Sequence, residues 1–558
     1  EEEEEEEEVK TRGGVRNRLV LLPTCLPMAQ FPPLVACALL ALLVCASAEY
    51  QVSWTRNITV KSFDGTHLRA DALIPHPQKE GEKFPLILFP NSWGVPQIEY
   101  VIEGLRFGKR GFVILEYETR GWFFSGGQIG CAGPNDQKDF SSVLDYALAQ
   151  AGWNIDPTRV AACGISYGAG LSLLGGARDA RVKTIVALSG WGSILDALYD
   201  NSSPSLVWGD LLMLSGKIFG RESKELEEVY GYTMSGKNIS YVKEWAAERS
   251  AETYVSAINS RKVPVLLSNN YEDRIFKPNH ALKFFQQLQV PKMLLLNQGI
   301  HAQAELGGLF GQYYNFPWQK VSLWMDHWLL GIDNGIMDEP LVQCQLRNDF
   351  DVRVTFPTWP FEDMASTQLQ LGARSKGHYG TLLPASATSS SGSGATDTIV
   401  NGLLTGLSAG VPVLGDVFQT TAHVPILVEI PLASRKHAIV YLTDPVPERT
   451  RLCGTANLTL DISADSAAYQ VYAYLYSVDA LGVGTFLTVA PWSSWSENPN
   501  TTPAEVQFAS VCVDVPARHR IALGIDMRCA LFKPPTTAAV AVTIAYGQSV
   551  LSLPVMQE

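Results

Sequence analysis

The sequence predicts an α/β domain with a parallel sheet and an inserted helical cap, followed by an all-β sandwich. Three observations carry this prediction. From about Tyr50 to Gly331, continuous apolar runs alternate with helix-like segments, the pattern of strands buried on both faces by helices. Between Ser193 and Lys262 the alternation gives way to a mostly helical stretch carrying Trp208, Tyr230, Tyr232 and Trp245. After about Pro340, short β-like runs separated by turn residues take over.

The elements follow in order. "FPLILFP" (Phe84–Pro90) and "GFVILEYE" (Gly111–Glu118) read as strands, with a helix between them near Ile98–Arg110. "DFSSVLDYALAQ" (Asp139–Gln150) is the next helix, and "RVAAC" the strand after it. "VKTIVALSG", "VPVLLSNN" and "KMLLLNQG" continue the sheet, and "NHALKFFQQL" separates the last two. The expected domain spans 49–340, with a cap over about 193–262 that lines and restricts the entrance to a site. The expected sandwich spans 341–558, with strands such as "YQVYAYLYSV" and "AVAVTIAY". "ASATSSSGSGATDT" (Ala385–Thr398) is low-complexity and reads as a mobile loop.

Composition bounds the function. The chain has 558 residues, too many for one ordinary domain. Hydrophobic residues make up 46% and charged residues 18%, as in globular proteins. The formal net charge is -13 and no Lys/Arg cluster appears, which argues against nucleic acid as a partner. No C-x-x-C or H-E-x-x-H pattern is present, so neither a metal nor a cofactor is expected.

The N-terminal segment reads as a leader. Residues 1–27 open on a Glu run and are expected to be non-structural. Residues 28–48 read as a signal peptide, an apolar run followed by the small-x-small pattern Ala46-Ser47-Ala48. The mature protein is then expected to be secreted, or to enter an endomembrane lumen, with no membrane span. Five N-x-S/T sequons, at Asn57, Asn201, Asn238, Asn457 and Asn500, fit that route. Six cysteines follow the predicted cut, and one disulfide is expected among Cys453, Cys512 and Cys529. Cys163, in a buried strand, reads as a small core thiol.

Chemistry concentrates at "RVAACGISYGAGLSLLGG" (Arg159–Gly176). Gly164-Ile165-Ser166-Tyr167-Gly168 is a G-x-S-x-G pattern between a strand and a helix, the context of a nucleophile elbow. Such a turn lifts the serine hydroxyl above the sheet and points a helix N-terminus at it. An α/β-hydrolase fold then requires an acid and a histidine after later strands, in that order. "LLSNNYEDRIF" supplies Glu272 and Asp273, and "LLLNQGIHAQ" supplies His301. The pattern admits either acid, and Asp273 is preferred. His280 is the nearest competitor to His301. The oxyanion hole is expected to use the N–H of Tyr167 and a donor from "FPNSWG", either Ser92 or Trp93.

Further motifs carry a resemblance. "SFDGTHLRADALIP", "YETRGWFFSGG", "GISYGAG", "YEDRIF", "GIH" and "WMDHWLLGIDNGIMDEP" recur in family order. With them the chain resembles the S15-type acyl hydrolases, the X-prolyl dipeptidyl peptidase and cocaine esterase superfamily. The resemblance implies a catalytic α/β-hydrolase domain and a C-terminal jelly-roll, galactose-binding-like sandwich. It assigns Ser166, Asp273 and His301 the nucleophile, acid and base roles. Better-known members carry a tyrosine in the early loop that serves the oxyanion hole. Here Trp93 or Asn91 stands near that place, and Tyr100 lies several residues on. Arg120 reads as a loop anchor.

The functional expectation is a secreted serine hydrolase that cleaves acyl bonds of a small peptide or acyl ester through an acyl-enzyme, X-Pro dipeptidyl-peptidase-like, with an acyl esterase of the cocaine esterase type as the alternative. A dipeptidyl peptidase must hold a free α-amino group, for which the cap offers Glu222, Glu225, Glu227 and Glu228. An esterase needs only an apolar acyl pocket. A binding protein on a hydrolase fold is the alternative of another class, and oligomeric state is not legible.

Overall fold

The chain's fold was analysed in a computed structural model. It describes residues 49–556 apart from 361–363, 375–378, 385–394, 403, 498 and 500–501. The leader, the signal peptide, most of the low-complexity stretch and Asn500 lie outside the described residues. Tyr50–Glu558 forms one compact unit.

A ten-stranded sheet organises the first domain. Its strands are β1 (Val52–Lys61), β2 (His67–Pro75), β3 (Phe84–Pro90), β4 (Val113–Tyr117), β5 (Ile155–Ile165), β6 (Val182–Leu188), β7 (Val265–Asn270), β8 (Lys292–Asn297), β9 (Val342–Leu346) and β10 (Asp349–Phe356). They lie side by side in the order β1-β2-β4-β3-β5-β6-β7-β8-β9-β10. Strands β4 through β9 run parallel, and β1, β2 and β10 pair antiparallel at the edges. Every residue of β3, β4 and β7 is buried. That explains their unbroken apolar character, because helices cover both faces.

The crossings are helical. They include α1 (Val101–Lys109), α2 (Pro134–Leu148) and α3 (Tyr167–Arg178). The cap falls between β6 and β7. It consists of α4 (Ile194–Leu198), α5 (Leu206–Phe219), α6 (Lys224–Ser235), α7 (Ile239–Ala247) and α8 (Val255–Arg261). Three more helices follow, α9 (Pro278–Gln287), α10 (Gln303–Leu309) and α11 (Phe316–Met325).

The first sheet continues past residue 340. Strands β9 and β10 extend the first sheet, so its domain reaches Phe356. Among the described residues, the second domain is all-β apart from α12 (Leu414–Thr421) and a short 3-10 turn. Its 13 strands form one hydrogen-bonded set around a separate core that includes Leu458, Val471, Leu475, Leu523 and Ile544. The 16-residue strand Ala541–Met556 pairs with Thr396–Val400 and Asn457–Ala464, and its later residues pair with Met364–Gly372.

One disulfide joins Cys453 to Cys512 across adjacent antiparallel strands. Cys131, Cys163 and Cys344 are buried and free, and Cys529 is free. Among the described residues, no helix is long and apolar enough to cross a membrane. Asn57, Asn238 and Asn457 are exposed.

Candidate active site

Strand β5 enters the site and α3 leaves it, with Ser166 at the bend. Its backbone has φ 55° and ψ -119°, a strained left-handed φ for a residue with a Cβ. The bend demands glycine on both sides. A Cβ on Gly164 would lie 2.5 Å from the Gly168 carbonyl carbon, and one on Gly168 would lie 2.3 Å from the Pro90 carbonyl oxygen. The Ser166 N–H donates to the Leu188 carbonyl at 2.8 Å, which pins the bend to the end of β6.

Three side chains from three loops meet here. The Ser166 hydroxyl lies 2.7 Å from Nε2 of His301, and Nδ1 of His301 lies 2.7 Å from Oδ2 of Asp273. His301 follows β8 and Asp273 follows β7, at the ends of neighbouring parallel strands. Asp273 is 1% exposed. Its Oδ1 accepts from the N–H groups of Ile275 and Phe276 at 2.9 and 2.8 Å, which aims Oδ2 at the imidazole. The Phe276 ring packs edge-on against His301 at 5.3 Å.

The electrostatics favour a charged imidazole. Burial pushes the His301 pKa down, but the Asp273 charge and hydrogen bond, with Glu305 behind them, leave it raised above 6.5. Glu305 is fully buried and accepts from Ser268 Oγ at 2.6 Å and from Asn270 Nδ2 at 2.9 Å. Burial raises its own pKa.

The adjacent acid, Glu272, faces elsewhere. Its Oε1 accepts from Arg347 Nε and, at 3.0 Å, from Gln419 Nε2. It therefore ties the acid loop to β9 and α12. Arg274 adds a second tie, a buried ion pair with Asp416 of α12 at 3.0 Å. His280 sits in α9, with neither ring nitrogen hydrogen-bonded, and burial pushes its pKa down to about 4. Arg120 clamps Asp139 through two nitrogens, at 2.6 and 2.7 Å, as an anchor would.

The early loop separates its expected donors. Ser92 is corrected: its N–H and its hydroxyl both donate to Glu99, at 2.9 and 2.6 Å, so neither is free for an oxyanion. The Trp93 indole N–H is also committed, to the Leu212 carbonyl and Ser215 Oγ at 3.0 and 3.1 Å. The backbone N–H groups of Trp93 and Tyr167 make no hydrogen bond among the described residues. Tyr100 lies beneath the bend, where its hydroxyl accepts from the Ile165 N–H at 2.9 Å.

Above Ser166 lies a cavity of about 100 Å³. Its floor includes Ser166, Tyr167 and Trp93, and its walls include Leu212 and Met213 of α5, Val229 of α6 and Trp245 of α7. Among the described residues, no carboxylate lines it. Glu225 instead pairs with Arg249 at 3.1 Å, Glu227 and Glu228 are exposed, and Glu222 stands outside the lining with both carboxylate oxygens buried and unpartnered. Sequence reasoning missed Glu305 and Arg347, because no local motif announces a residue whose partners are distant in the chain.

Comparison with known proteins places the chain. The sequence profile of the X-Pro dipeptidyl-peptidase (S15 family) matches residues 64–303. That of the X-Pro dipeptidyl-peptidase C-terminal non-catalytic domain matches residues 334–526. A protein of Bacillus cereus named as an Xaa-Pro dipeptidyl-peptidase is 26% identical over 267 residues, 43% of each chain. A similarly named protein of Bacillus anthracis is 24% identical over 267 residues, 43% of this chain and 42% of that one. The chain thus matches less than half the length of these relatives.

Solved structures share the fold. A CocE/NonD family hydrolase from Staphylococcus aureus superposes with a TM-score of 0.66 at 13% identity, over 90% of this chain and 94% of that one. An α-amino acid ester hydrolase gives 0.65 at 14%, over 91% and 97%. Profiles of the S15-type X-Pro dipeptidyl-peptidase thus match the first domain and much of the second, and the chain shares the α/β-hydrolase fold of these solved structures.

Proposed function

We propose that this protein is a serine hydrolase that cleaves acyl esters with an apolar acyl group. The observation that carries the reading is the relay Ser166–His301–Asp273, joined by two 2.7 Å contacts beneath a cavity that no carboxylate lines. Ser166 attacks the acyl carbonyl while His301 Nε2 takes its proton. Asp273 holds the imidazole with Nδ1 protonated and balances its charge. The oxyanion is received by the N–H groups of Tyr167 and Trp93, with the α3 N-terminus adding a favourable field. His301 returns the proton to the leaving group, then activates a water that releases the acid.

The acyl preference follows from desolvation. A free α-ammonium group entering the cavity would lose water and meet no counter-charge, a cost of several kcal/mol. An alkyl or aryl chain gains about 25 cal/mol for each Å² it buries. A second reading, a dipeptidyl peptidase, has one observation in its favour. The unpartnered Glu222 carboxylate stands on the segment between α5 and α6, where a cap movement could present it to an amine.

We further propose that the protein is secreted. The Ala46-Ser47-Ala48 pattern, the exposed sequons and the Cys453–Cys512 disulfide support this.

The test is kcat/KM on p-nitrophenyl esters of increasing chain length and on an Xaa-Pro anilide, with Ser166→Ala as control. Ester turnover that rises with chain length and vanishes in the control is expected. Anilide turnover that falls in Glu222→Gln would establish the second reading instead. A native protein that neither turns over esters nor reacts with a fluorophosphonate would remove both.

A further inference from the structure

A second cavity, of about 300 Å³, opens where the two domains meet. The first domain contributes Gln298, Arg347 and Phe350, and the second contributes Gln419, Phe486 and His519. None of these belongs to the serine relay, and the cavity shares no lining residue with the one above Ser166.

Its polar groups divide into two kinds. The charges are already spent. Arg347 donates to Glu272 and to the carbonyl oxygens of Phe486 and Leu487, and Asp514 is held by Arg451 through contacts of 2.6 and 2.9 Å. Of the lining amides, Asn348 is paired with the Asp514 backbone through both its nitrogen and its oxygen, and Gln298 and Gln419 are not fully paired. Gln298 is 7% exposed, yet neither its side-chain oxygen nor its nitrogen has a hydrogen-bond partner. Gln419 donates to Glu272 through Nε2 and leaves its buried Oε1 unpartnered. Each such group left dry costs about 1–3 kcal/mol. An occupant that both donates and accepts would relieve that cost.

The lining also carries two phenylalanines among aliphatic, proline and hydroxyl side chains. Phe350 lies in the wall with the His423 ring packed against it at 4.0 Å, and Phe486 of the sandwich carries the Arg274 and Arg347 guanidiniums over its ring at 5.5 and 5.6 Å. Neutral donors and acceptors beside aromatic faces suit a ligand with hydroxyls on its edge and C–H groups on its face.

We propose that this junction cavity binds a neutral polyhydroxylated molecule, a sugar residue or polyol, through the Gln298 and Gln419 amides and the Phe350 ring. The site lies at the domain junction, three residues before His301 in the chain. The proposal does not depend on the hydrolase reading, because its test is binding rather than turnover.

The test titrates the full-length protein with glucose, galactose, mannose, N-acetylglucosamine, glycerol and a branched N-glycan. Ligand-detected NMR and calorimetry give the readout. The expected result is saturable binding of at least one probe, weakened more than tenfold by Gln298→Leu. Thr485→Trp, which fills the cavity without removing an amide, should weaken it equally. Binding of the glycan alone would identify a glycan terminus as the source, and binding of a monosaccharide a free sugar. No saturable binding to the wild-type protein, or undiminished binding to a folded Thr485→Trp variant, would overturn the proposal. If neither variant folds, hydrogen exchange decides. Sugar-dependent protection around residues 298 and 419 supports the site, and protection confined to other segments overturns it.

Discussion

Glu272 and Asp273 are neighbours in the chain and serve different structures. Asp273 presents Oδ2 to His301 Nδ1 at 2.7 Å, while Glu272 binds Arg347 and Gln419 at the domain junction. Asp273→Asn should lower kcat by roughly 10⁴-fold, because the amide favours the wrong imidazole tautomer. Its thermal midpoint should move little. Glu272→Gln should do the reverse, leaving the Arg347 guanidinium buried without its counter-charge at a cost of about 3–5 kcal/mol. Paired measurements of kcat and melting midpoint on both variants check the division. Equal effects on both readouts would contradict it.

The pH profile follows from the imidazole. A general base must be neutral, and the Asp273 and Glu305 carboxylates hold the His301 pKa above 6.5 against the opposing effect of burial. Esterase kcat/KM should therefore rise with pH through an inflection above that value. Glu305→Gln should move the inflection to lower pH. The linked stability has a definite sign: a raised folded pKa stabilises below the ordinary imidazole range, and that contribution is lost as pH rises through the folded value. Rate profiles of wild type and variant from pH 5 to 9 provide the check.

Gly168→Ala should be poorly tolerated. The new Cβ would meet the Pro90 carbonyl oxygen at 2.3 Å, and both partners are backbone, so no side chain can swing away. Overpacking of this kind costs about 1–3 kcal/mol, and displacement of Ser166 should reduce kcat more than KM changes. Unchanged activity and melting midpoint would show that β3 and α3 are less tightly apposed than this.

Reduction should destabilise the second domain. The Cys453–Cys512 bond closes a loop with a sequence separation of 59, for which chain entropy predicts about 4 kcal/mol. Cys453→Ala combined with Cys512→Ala should lower the melting midpoint of the β domain, and reductant should have no further effect on the double variant. Calorimetry with and without reductant tests this.

Much of the architecture is written locally. Strands such as Phe84–Pro90 and Val265–Asn270 are buried along their whole length, so their apolar runs are continuous and visible in any window of the sequence. The glycines around Ser166 are demanded by contacts within the bend and by β3 beside it, and the helical insertion between β6 and β7 interrupts a regular alternation. The order serine, acid, histidine was readable for the same reason: each lies a few residues past a recognisable strand.

Other features needed the assembled chain. Val342–Leu346 and Asp349–Phe356 look like sandwich strands, because alternation reports a strand and not its partner; pairing with β8 puts them in the first sheet. The loop pattern admits Ser92 and Trp93 alike as donors, and only the fold brings Glu99 within reach of both Ser92 hydrogens. The choice between Glu272 and Asp273 turned on Arg347, 75 residues away in the chain, and the absence of a carboxylate from the cavity lining turned on how five cap helices pack. Apolar periodicity and backbone sterics act over a few residues and leave their mark in the sequence. Hydrogen-bond partners and cavity walls are set by residues that only folding brings together.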